Sequence, residues 1–362
     1  MKNQSILVFG GSFDPPHKCH IQLLKQAVKE LNLQKTIIFP AYLSPFKDKH
    51  ISPYKYRKKM ISILLSRLRI KAKIDDFEFK KGRKTYTYEI GKYLVKKYPE
   101  GKFFFLLGSD SYNNIKKWKN YDKLKETFHF VVGIREGFPL KRKKNPDIVI
   151  LKKRFKNISS TDIRNKLLVS DYRSIDKAIK KYIFKKGLYY SNLIFKIKKI
   201  LGNERFFHTI STTKLALSLS AKYKLDPVKT FLASILHDIS KRVPIKKQIT
   251  DLKNMRIKNY EKAIKLAPQI LHQWHGALVA NKKFKIKDKE ILSAISKHAT
   301  GAKKMSLLDK IIYVSDYACY DRSFKEAAIV RKKAFENIHQ AYTMARRFKK
   351  EYIKKIDGYF YG

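Results

Sequence analysis

Short apolar runs alternate with amphipathic stretches along the first half of the chain. These runs have the length and composition of buried strands, at 5–9, 36–39, 102–107, 128–134 and 147–151, and 74–79 is also strand-like. Helical spacing of apolar positions appears between them, at about 20–31, 54–68 and 86–97. Strands that alternate with helices favour a parallel sheet covered by helices. We therefore predict an α/β domain over residues 1–190.

The pattern changes near residue 190, beyond which only helical periodicity is found. The predicted helices are 193–201, 206–223, 227–239, 258–269, 274–284, 288–298, 305–320 and 324–356. Turn signals separate them, and no stretch has a convincing strand pattern. We therefore predict a second, all-α domain over residues 191–362.

The strongest local motif lies where the first predicted strand gives way to a helix. It reads GGSFDPPHKCH and runs from Gly10 to His20. The paired glycines allow close approach of the backbone to a phosphate, and a helix N-terminus supplies free N–H groups. His17 and His20 are three residues apart and so share one helical face. The motif favours a cradle for the phosphates of a nucleoside triphosphate over a turn with capping histidines.

The first half resembles the H-x-G-H nucleotidyltransferases, and within them the bacterial nicotinate-nucleotide adenylyltransferases. Cys19 replaces the usual glycine between the two histidines. Other segments similar to that family are PFK at 45–47, TYT at 85–87, GSD at 108–110 followed by Trp118, Arg135, and ISSTDIR at 158–164. The resemblance implies a Rossmann-like fold and adenylyl transfer from ATP to nicotinate mononucleotide, with Mg²⁺ arriving on the ATP.

The resemblance also implies roles for individual residues. The backbone of Gly10, Gly11 and Ser12 would hold phosphates. Positive charge for the triphosphate would come from His17, His20, Lys47 and Arg164. Ser160 and Thr161 would cap a helix at the phosphates. The remaining nucleotide-binding residues would be Phe13, Thr85, Gly108, Asp110, Trp118 and Arg135. Asp110 would contact the ribose, and Trp118 would either stack on the nicotinate ring or pack in the core.

The second half carries histidines and aspartates in apolar helical surroundings. The set is His208, His237, Asp238, His272, His298 and Asp316. The adjacent pair at 237–238 follows an apolar stretch, where both groups would need partners. A divalent metal suits several imidazoles and carboxylates that converge from different helices. Any one of these histidines alone is more simply a core or surface residue, so the prediction depends on the set.

This half resembles the HD-domain phosphohydrolases, in particular a bacterial branch known for symmetrical hydrolysis of diadenosine tetraphosphate. The similar segments are LHDISK at 236–241, LHQWHGA at 271–277, KHATG at 297–301 and VSDY at 314–317. The alignment favours His272 over His275 as a ligand, and Cys319-Tyr320 replaces the usual Glu-Pro. The resemblance implies that all six residues bind two divalent metals, Fe or Mn, and that the products are two ADP.

The same resemblance implies that Asp238 and Lys241 are catalytic residues and that Arg322 binds phosphate. Arg205 would either assist or be a surface residue. Two alternatives stay open for this half. It could hydrolyse another nucleotide, or it could be a metal-bound regulatory module without turnover.

The charge of the chain suggests a rival from another class. The sequence has 82 Lys and Arg against 30 Asp and Glu, a formal net charge of +52. Only 16 of the 82 are Arg, the residue that reads phosphate in a bidentate manner, and Lys is spread over the whole length. Lys, Ile, Asn, Tyr and Phe all have A/T-rich codons, so compositional drift accounts for the charge as well as a nucleic-acid surface does. We expect no specific nucleic-acid binding.

Other features of the sequence bear on where the protein works. Its two cysteines cannot form a disulfide framework. No apolar run reaches the roughly 20 residues of a transmembrane helix, and the N-terminus has no secretory signal pattern. We therefore expect a cytoplasmic protein without a membrane partner. The sequence leaves its oligomeric state open.

Overall fold

The chain folds into two compact units. A computed structural model describes residues 4–43, 52–141, 148–257 and 260–355 of the 362. The first unit comprises Met1–Leu167 and Asp171–Ser191, and the second comprises Leu168–Ser170 and Asn192–Gly362. The α/β pattern of the sequence lies in the first unit and the all-helical pattern lies in the second.

The first unit contains a six-stranded parallel sheet. Its strands are β1 (Ser5–Gly11), β2 (Lys35–Pro40), β3 (Lys73–Ile74), β4 (Lys102–Gly108), β5 (Phe128–Gly133) and β6 (Ile148–Ile150). The spatial order is β3-β2-β1-β4-β5-β6, so the direction of winding reverses between β1 and β4. In open α/β sheets, ligands bind at such a reversal, outside the carboxyl ends of the strands.

Helices cover the sheet. They are α1 (Lys18–Leu31), α2 (Tyr54–Leu68), α3 (Phe77–Lys81), α4 (Thr87–Lys97), α5 (Ser109–Tyr112), α6 (Tyr121–Thr127), α7 (Ser160–Leu168) and α8 (Lys177–Lys186), with 3₁₀ turns at Ile115–Lys117 and Leu188–Tyr190. Along β1, Ile6 and Val8 belong to one apolar cluster and Leu7 and Phe9 to another. Because side chains alternate across a strand, both faces of the sheet are buried, as the continuous apolar runs predict.

The strand predicted at 74–79 is wrong beyond Ile74. The side chain of Asp75 accepts a hydrogen bond from the backbone N–H of Phe77 at 3.1 Å, and α3 begins at that residue. A side chain that bonds to its own backbone competes with strand pairing.

The second unit is built from helices. They are α9 (Ser191–Lys222), α10 (Pro227–Leu236), α11 (Ile245–Leu252), α12 (Tyr260–Leu266), α13 (Leu271–Phe284), α14 (Lys289–Lys297), α15 (Leu307–Ala318), α16 (Lys325–Glu336) and α17 (Ile338–Lys355), with a 3₁₀ turn at Pro268–Ile270. Within its described residues this unit has no strand. Helix α9 contains a non-helical Gly202 with φ of 72°, which matches the predicted separation of 193–201 from 206–223.

Two helical predictions need correction. The single helix predicted over 324–356 is two helices, because Asn337 is extended and its side chain caps α17 by accepting from the N–H groups of His339 and Gln340. Helix α11 was not predicted. Among the described residues, no helix is both long enough and apolar enough to cross a membrane.

Candidate active sites

A cavity of about 680 Å³ opens in the first unit beside the carboxyl ends of β1 and β4, the two strands between which the order of winding reverses. Many of the predicted site residues line it, namely Gly10, Gly11, Ser12, His17, His20, Thr85, Gly108, Asp110, Trp118, Arg135 and Ser160. These residues come from well-separated segments of the chain. The fold thus collects most of the predicted nucleotide-binding residues around one space.

The two motif histidines meet at the start of α1. Their ring centroids are 3.8 Å apart, and the backbone N–H of His17 donates to Nδ1 of His20 at 3.3 Å. Burial, assisted by the nearby Arg135, lowers the pKa of His17 from 6.5 to about 3. His17 is therefore uncharged at neutral pH in the ligand-free protein. It can donate a hydrogen bond to a phosphate, but the positive charge expected of it is absent in this state.

A partly buried ion pair stands at the end of β4. Nη1 of Arg135 lies 3.1 Å from Oδ2 of Asp110, while Oδ1 of Asp110 and Nε of Arg135 are buried without a hydrogen-bond partner. Gly108 leaves room for this pair, because a Cβ there would lie 2.8 Å from Nε of Arg135 and closer still to Asp110. Both unpaired atoms therefore lie against Gly108, and a larger residue there would displace the ion pair.

Arg57, in the first turn of α2, holds two loops beside the cavity. Its side chain is almost fully buried. The guanidinium donates to the carbonyls of Ser12 at 2.8 Å, Ala41 at 2.7 Å and Ser52 at 3.1 Å. Since Ser12 follows β1 and Ala41 follows β2, one cation joins both strand ends. Sequence reasoning did not give this residue a role.

Several predicted residues do not line the cavity. The ring of Phe13 is buried against Phe9, 5.3 Å between centroids, and lies outside the cavity lining. Arg164 donates to the carbonyl of Asp14 at 2.8 Å and to Oγ1 of Thr161 at 3.0 Å. Lys47 lies outside the described residues.

The cap of α7 is Ser159, not Ser160 or Thr161. Oγ of Ser159 accepts from the N–H of Asp162 at 3.1 Å, and the carboxylate of Asp162 accepts from the N–H of Ser159 at 3.1 Å. This reciprocal arrangement is a capping box. Oγ of Ser160 instead donates to the carbonyl of Pro15 at 3.3 Å, which ties α7 to the glycine-rich motif.

Sequence reasoning also missed Glu78, a buried acid in the cavity wall. Burial raises its pKa from 4.5 to about 7, and Oε2 has no hydrogen-bond partner. No signal in the sequence marks it, since it lies in the segment predicted as a strand.

Trp118 lines the same cavity while its ring contacts Phe105 edge to face at 6.1 Å.

In the second unit all six predicted metal ligands converge. Asp238 lies at the centre of the cluster. Its Oδ1 is 3.4 Å from Nε2 of His272 and 3.6 Å from Nε2 of His298, and its Oδ2 is 3.6 Å from Nε2 of His237. Oδ1 of Asp316 is 2.9 Å from Nε2 of His208 and 3.6 Å from Nε2 of His237. Asp238 thus joins two groups of ligands.

The tautomers of three histidines are set by their own helices. Nδ1 of His237, His272 and His298 lies 2.6 to 2.7 Å from the backbone carbonyl three residues earlier. A carbonyl only accepts, so Nδ1 carries a proton in each ring, and Nε2 is the nitrogen left to bind a metal ion. Yet Nε2 of His272 and Nε2 of His298 are only 3.1 Å apart. Two ring nitrogens this close either share a proton or bind one cation, so the residues fit a metal ion.

The carboxylates of the cluster stay ionised. Burial alone would raise the pKa of Asp316, but its contact with His208 and the nearby ring of His237 hold that pKa well below 3.8. The pKa of Asp238 is likewise held well below its ordinary value, against burial, by His237 and its neighbours. Burial holds the pKa of His272 well below 6.5. Ionised carboxylates with neutral imidazole are the donor set that divalent transition metals take.

Cations surround the cluster. Nη1 of Arg205 is 3.1 Å from Oδ2 of Asp238, and Nη2 of Arg322 is 3.8 Å from Oδ1 of Asp316. Burial lowers the pKa of Lys349, and Lys241 and Arg322 lower it further, so these cations share one neighbourhood. Sequence reasoning missed Lys349, which lies far along α17 and donates to the carbonyl of Ala299.

His275 lies outside the cluster. Its Nδ1 is 2.8 Å from Oγ of Ser240, and its Nε2 is 3.0 Å from Oδ2 of Asp251. Cys319 is fully buried, with Sγ 3.6 Å from Nδ1 of His208. Burial raises the pKa of this thiol to about 12, so it stays protonated at neutral pH.

Two family patterns match the chain, one in each half. Residues 8–166 match the family described as Cytidylyltransferase-like, and residues 205–321 match the HD domain. The first range contains the cavity of the first unit. The second range contains all six clustered ligands.

Individual relatives cover either nearly the whole chain or about half of it. A Mycoplasma genitalium protein named "Probable nicotinate-nucleotide adenylyltransferase/Ap4A hydrolase" is 29% identical over 97% of this chain and 99% of its own length. A "Probable nicotinate-nucleotide adenylyltransferase" of Nitratiruptor sp. is 40% identical over 44% of this chain and 86% of its own. A Clostridium acetobutylicum structure, titled as a predicted HD superfamily hydrolase involved in NAD metabolism, is 30% identical with a TM-score of 0.46, covering 48% of this chain and 90% of that one.

Proposed function

We propose that this chain, which belongs to the nicotinate-nucleotide adenylyltransferase family and carries an HD domain, is a bifunctional enzyme. Its first unit would join ATP and nicotinate mononucleotide to form nicotinate adenine dinucleotide. Its second unit would hydrolyse diadenosine tetraphosphate to two ADP. The observation that carries the proposal is that each family match contains a separate collected site suited to phosphate chemistry.

In the first reaction an oxygen of the mononucleotide phosphate bonds to the α-phosphorus of ATP, and the bond from that phosphorus to the bridging oxygen breaks. Pyrophosphate leaves with the electron pair, so no covalent enzyme intermediate is needed. Such a reaction depends on alignment and on stabilising charge that moves to the leaving group. The cavity is lined by groups that can align the substrates and by groups that can stabilise negative charge.

The cavity residues have distinct proposed tasks. Backbone N–H groups of Gly10, Gly11 and Ser12 and the start of α1 hold phosphates. His17 donates a hydrogen bond from a neutral ring, and Arg135 supplies charge. Asp110, which lines the cavity, accepts from a ribose hydroxyl. Lys47, Thr161 and Arg164 keep their proposed phosphate contacts, and Trp118 keeps the proposed stacking on nicotinate. Mg²⁺ enters with ATP as part of the substrate.

The test is pyrophosphate release by the purified full chain with ATP, Mg²⁺ and nicotinate mononucleotide. We expect stoichiometric nicotinate adenine dinucleotide, detected by chromatography. The same assay with nicotinamide mononucleotide measures the base preference. Absence of dinucleotide with both substrates would refute the first activity.

In the second unit we propose that two divalent ions, iron or manganese, are held by His208, His237, Asp238, His272, His298 and Asp316. When bound, such ions activate water and polarise phosphate oxygens. Hydrolysis then adds one water across the central P–O–P bridge of the tetraphosphate and releases two ADP. Lys241, Arg322 and Lys349 would bind the remaining phosphate oxygens, since all three lie around the cluster.

Chelation separates the two activities. Treatment with a chelator followed by Mg²⁺ should leave adenylyl transfer intact, because Mg²⁺ there comes with ATP, while ADP release returns only after iron or manganese is added. ADP release that persists in the chelated protein would refute the metal centre. Failure of every reloaded sample to release ADP would favour a regulatory role for this unit.

The free, buried Cys19 and Cys319 support the proposal that the enzyme works in the reducing cytoplasm.

A further inference from the structure

We propose that Asp321 is a positioning residue that fixes the ring of His208 and thereby sets the affinity of one of the two metal ions. This inference rests on the metal centre proposed above. It concerns a residue that is not one of the six ligands. Its role follows from how the four clustered histidines are held.

Three of the four histidines are oriented by their own helices. In His237, His272 and His298, Nδ1 donates to the carbonyl three residues earlier, at 2.6 to 2.7 Å. His208 differs. Its Nδ1 lies 2.9 Å from Oδ2 of Asp321, a side chain 113 positions further along the chain. His208 is therefore the member of the set whose tautomer depends on a distant carboxylate.

The geometry directs the other nitrogen into the cluster. Nε2 of His208 lies 2.9 Å from Oδ1 of Asp316 while Nδ1 faces Asp321. If the carboxylate of Asp321 keeps the proton on Nδ1, the lone pair of Nε2 is free for a metal ion. Carboxylate partners of this kind also raise the basicity of an imidazole ligand.

Asp321 is itself held in place. Its backbone N–H donates to Oγ of Ser211, at 3.1 Å, and Ser211 lies in the same helix as His208, three residues later. The preceding segment is fixed by Arg331, which donates to the carbonyls of Ala318 at 2.7 Å and Cys319 at 3.0 Å. The side chain of Asp321 is only 17% exposed, so water has limited access to its contact with the ring. These contacts hold the carboxylate of Asp321 in a fixed position beside the ring of His208.

The chain also offers a matched control. Asp251 makes the same kind of contact, 3.0 Å from Nε2 of the buried His275, in the same unit but outside the ligand set. Removing either carboxylate charge breaks an equivalent pair. Only the pair at His208 should alter metal binding.

The experiment is a Mn²⁺ titration of the metal-free full-length protein, followed by electron paramagnetic resonance, with metal content measured after gel filtration. The wild type should bind two ions with a spin-coupled signal. Asp321→Asn should bind one ion at least about tenfold more weakly, the lower end of the range for outer-shell partners, and show an uncoupled Mn²⁺ signal at low occupancy. Asp251→Asn should match the wild type.

Two coupled ions of wild-type affinity in Asp321→Asn would overturn the inference, and so would an equal loss in Asp251→Asn. A wild type that binds no Mn²⁺, Fe²⁺ or Zn²⁺ would instead refute the proposed metal centre. A second measurement needs no variant. In the Zn²⁺-loaded wild type, ¹⁵N NMR should find the proton of His208 on Nδ1, and a proton on Nε2 would overturn the inference.

Discussion

At the scale of single residues, the chemistry depends on which atoms of a side chain are charged or protonated. His17 was expected to supply positive charge, but burial leaves its ring neutral. The position of one ring proton likewise decides which nitrogen of each clustered histidine can bind a metal ion. In three of them Nδ1 faces a backbone carbonyl and carries that proton. A residue type in a motif therefore indicates where the chemistry occurs, and the surroundings decide its form.

The first residue-scale prediction concerns His17. Since its pKa is about 3 in the ligand-free protein, its ¹⁵N resonances should stay those of a neutral imidazole down to pH 5. Addition of a non-hydrolysable ATP analogue should shift the midpoint upwards, because a polyanion favours the charged ring. A midpoint above pH 6 without ligand would contradict the structure.

The second residue-scale prediction concerns Glu78. Its folded-state pKa of about 7 lies above the ordinary 4.5. Its stabilising contribution is therefore complete at low pH and is lost as the pH rises through 7. At each pH the free energy of unfolding of Glu78→Gln is compared with that of the wild type. The difference should favour the variant by roughly 2 kcal/mol more at pH 8 than at pH 5. Urea unfolding followed by Trp118 fluorescence, in a Trp274→Phe background, measures this directly, and equal effects at both pH values would contradict it.

At the scale of elements, loops at strand ends are held by side chains from other elements. Arg57 is the clearest case, because α2 presents it to the carbonyls that follow both β1 and β2. The arrangement ties the segment after β1, at Ser12, to the segment after β2, at Ala41.

Arg57→Lys should therefore impair the first activity. A lysine keeps the charge but cannot donate from a planar fork to three carbonyls. We expect a fall in adenylyl transfer of about tenfold or more, consistent with the cost of misplacing reacting groups. The matched control is Arg67→Lys on the same helix, whose partner is Asp176 and whose side chain is 49% exposed. Equal rates in both variants would remove the role given to Arg57.

The elements also mark where sequence reasoning stops. Helix α2 was predicted with its observed bounds, because Pro53 precedes it and its apolar positions keep a helical period. The prediction for segment 74–79 failed because its pattern resembles a strand, whereas the chain turns at Asp75 and α3 begins at Phe77. The six ligands could be read as a set, whereas the contact from His208 to Asp321 joins residues that no local pattern connects.

At the scale of the whole molecule, the charge of +52 has a general effect. Both proposed substrates are polyanions, and a positive field speeds their encounter with the protein. Salt screens that field. For both reactions, kcat/KM should fall several-fold between about 50 and 500 mM KCl, while kcat changes little. Steady-state kinetics checks this. A kcat/KM that does not depend on salt would mean that the charge does not speed substrate encounter.

The central claim is that one chain carries two independent phosphate sites. The most direct test measures both activities in two variants of the full-length protein, His17→Ala and Asp238→Ala. The first should lose pyrophosphate release by about 100-fold or more, within the range for loss of one hydrogen-bond donor to developing charge, and keep ADP release from diadenosine tetraphosphate. The second should lose ADP release and keep pyrophosphate release. Loss of both activities in either variant, or of neither, would contradict the account.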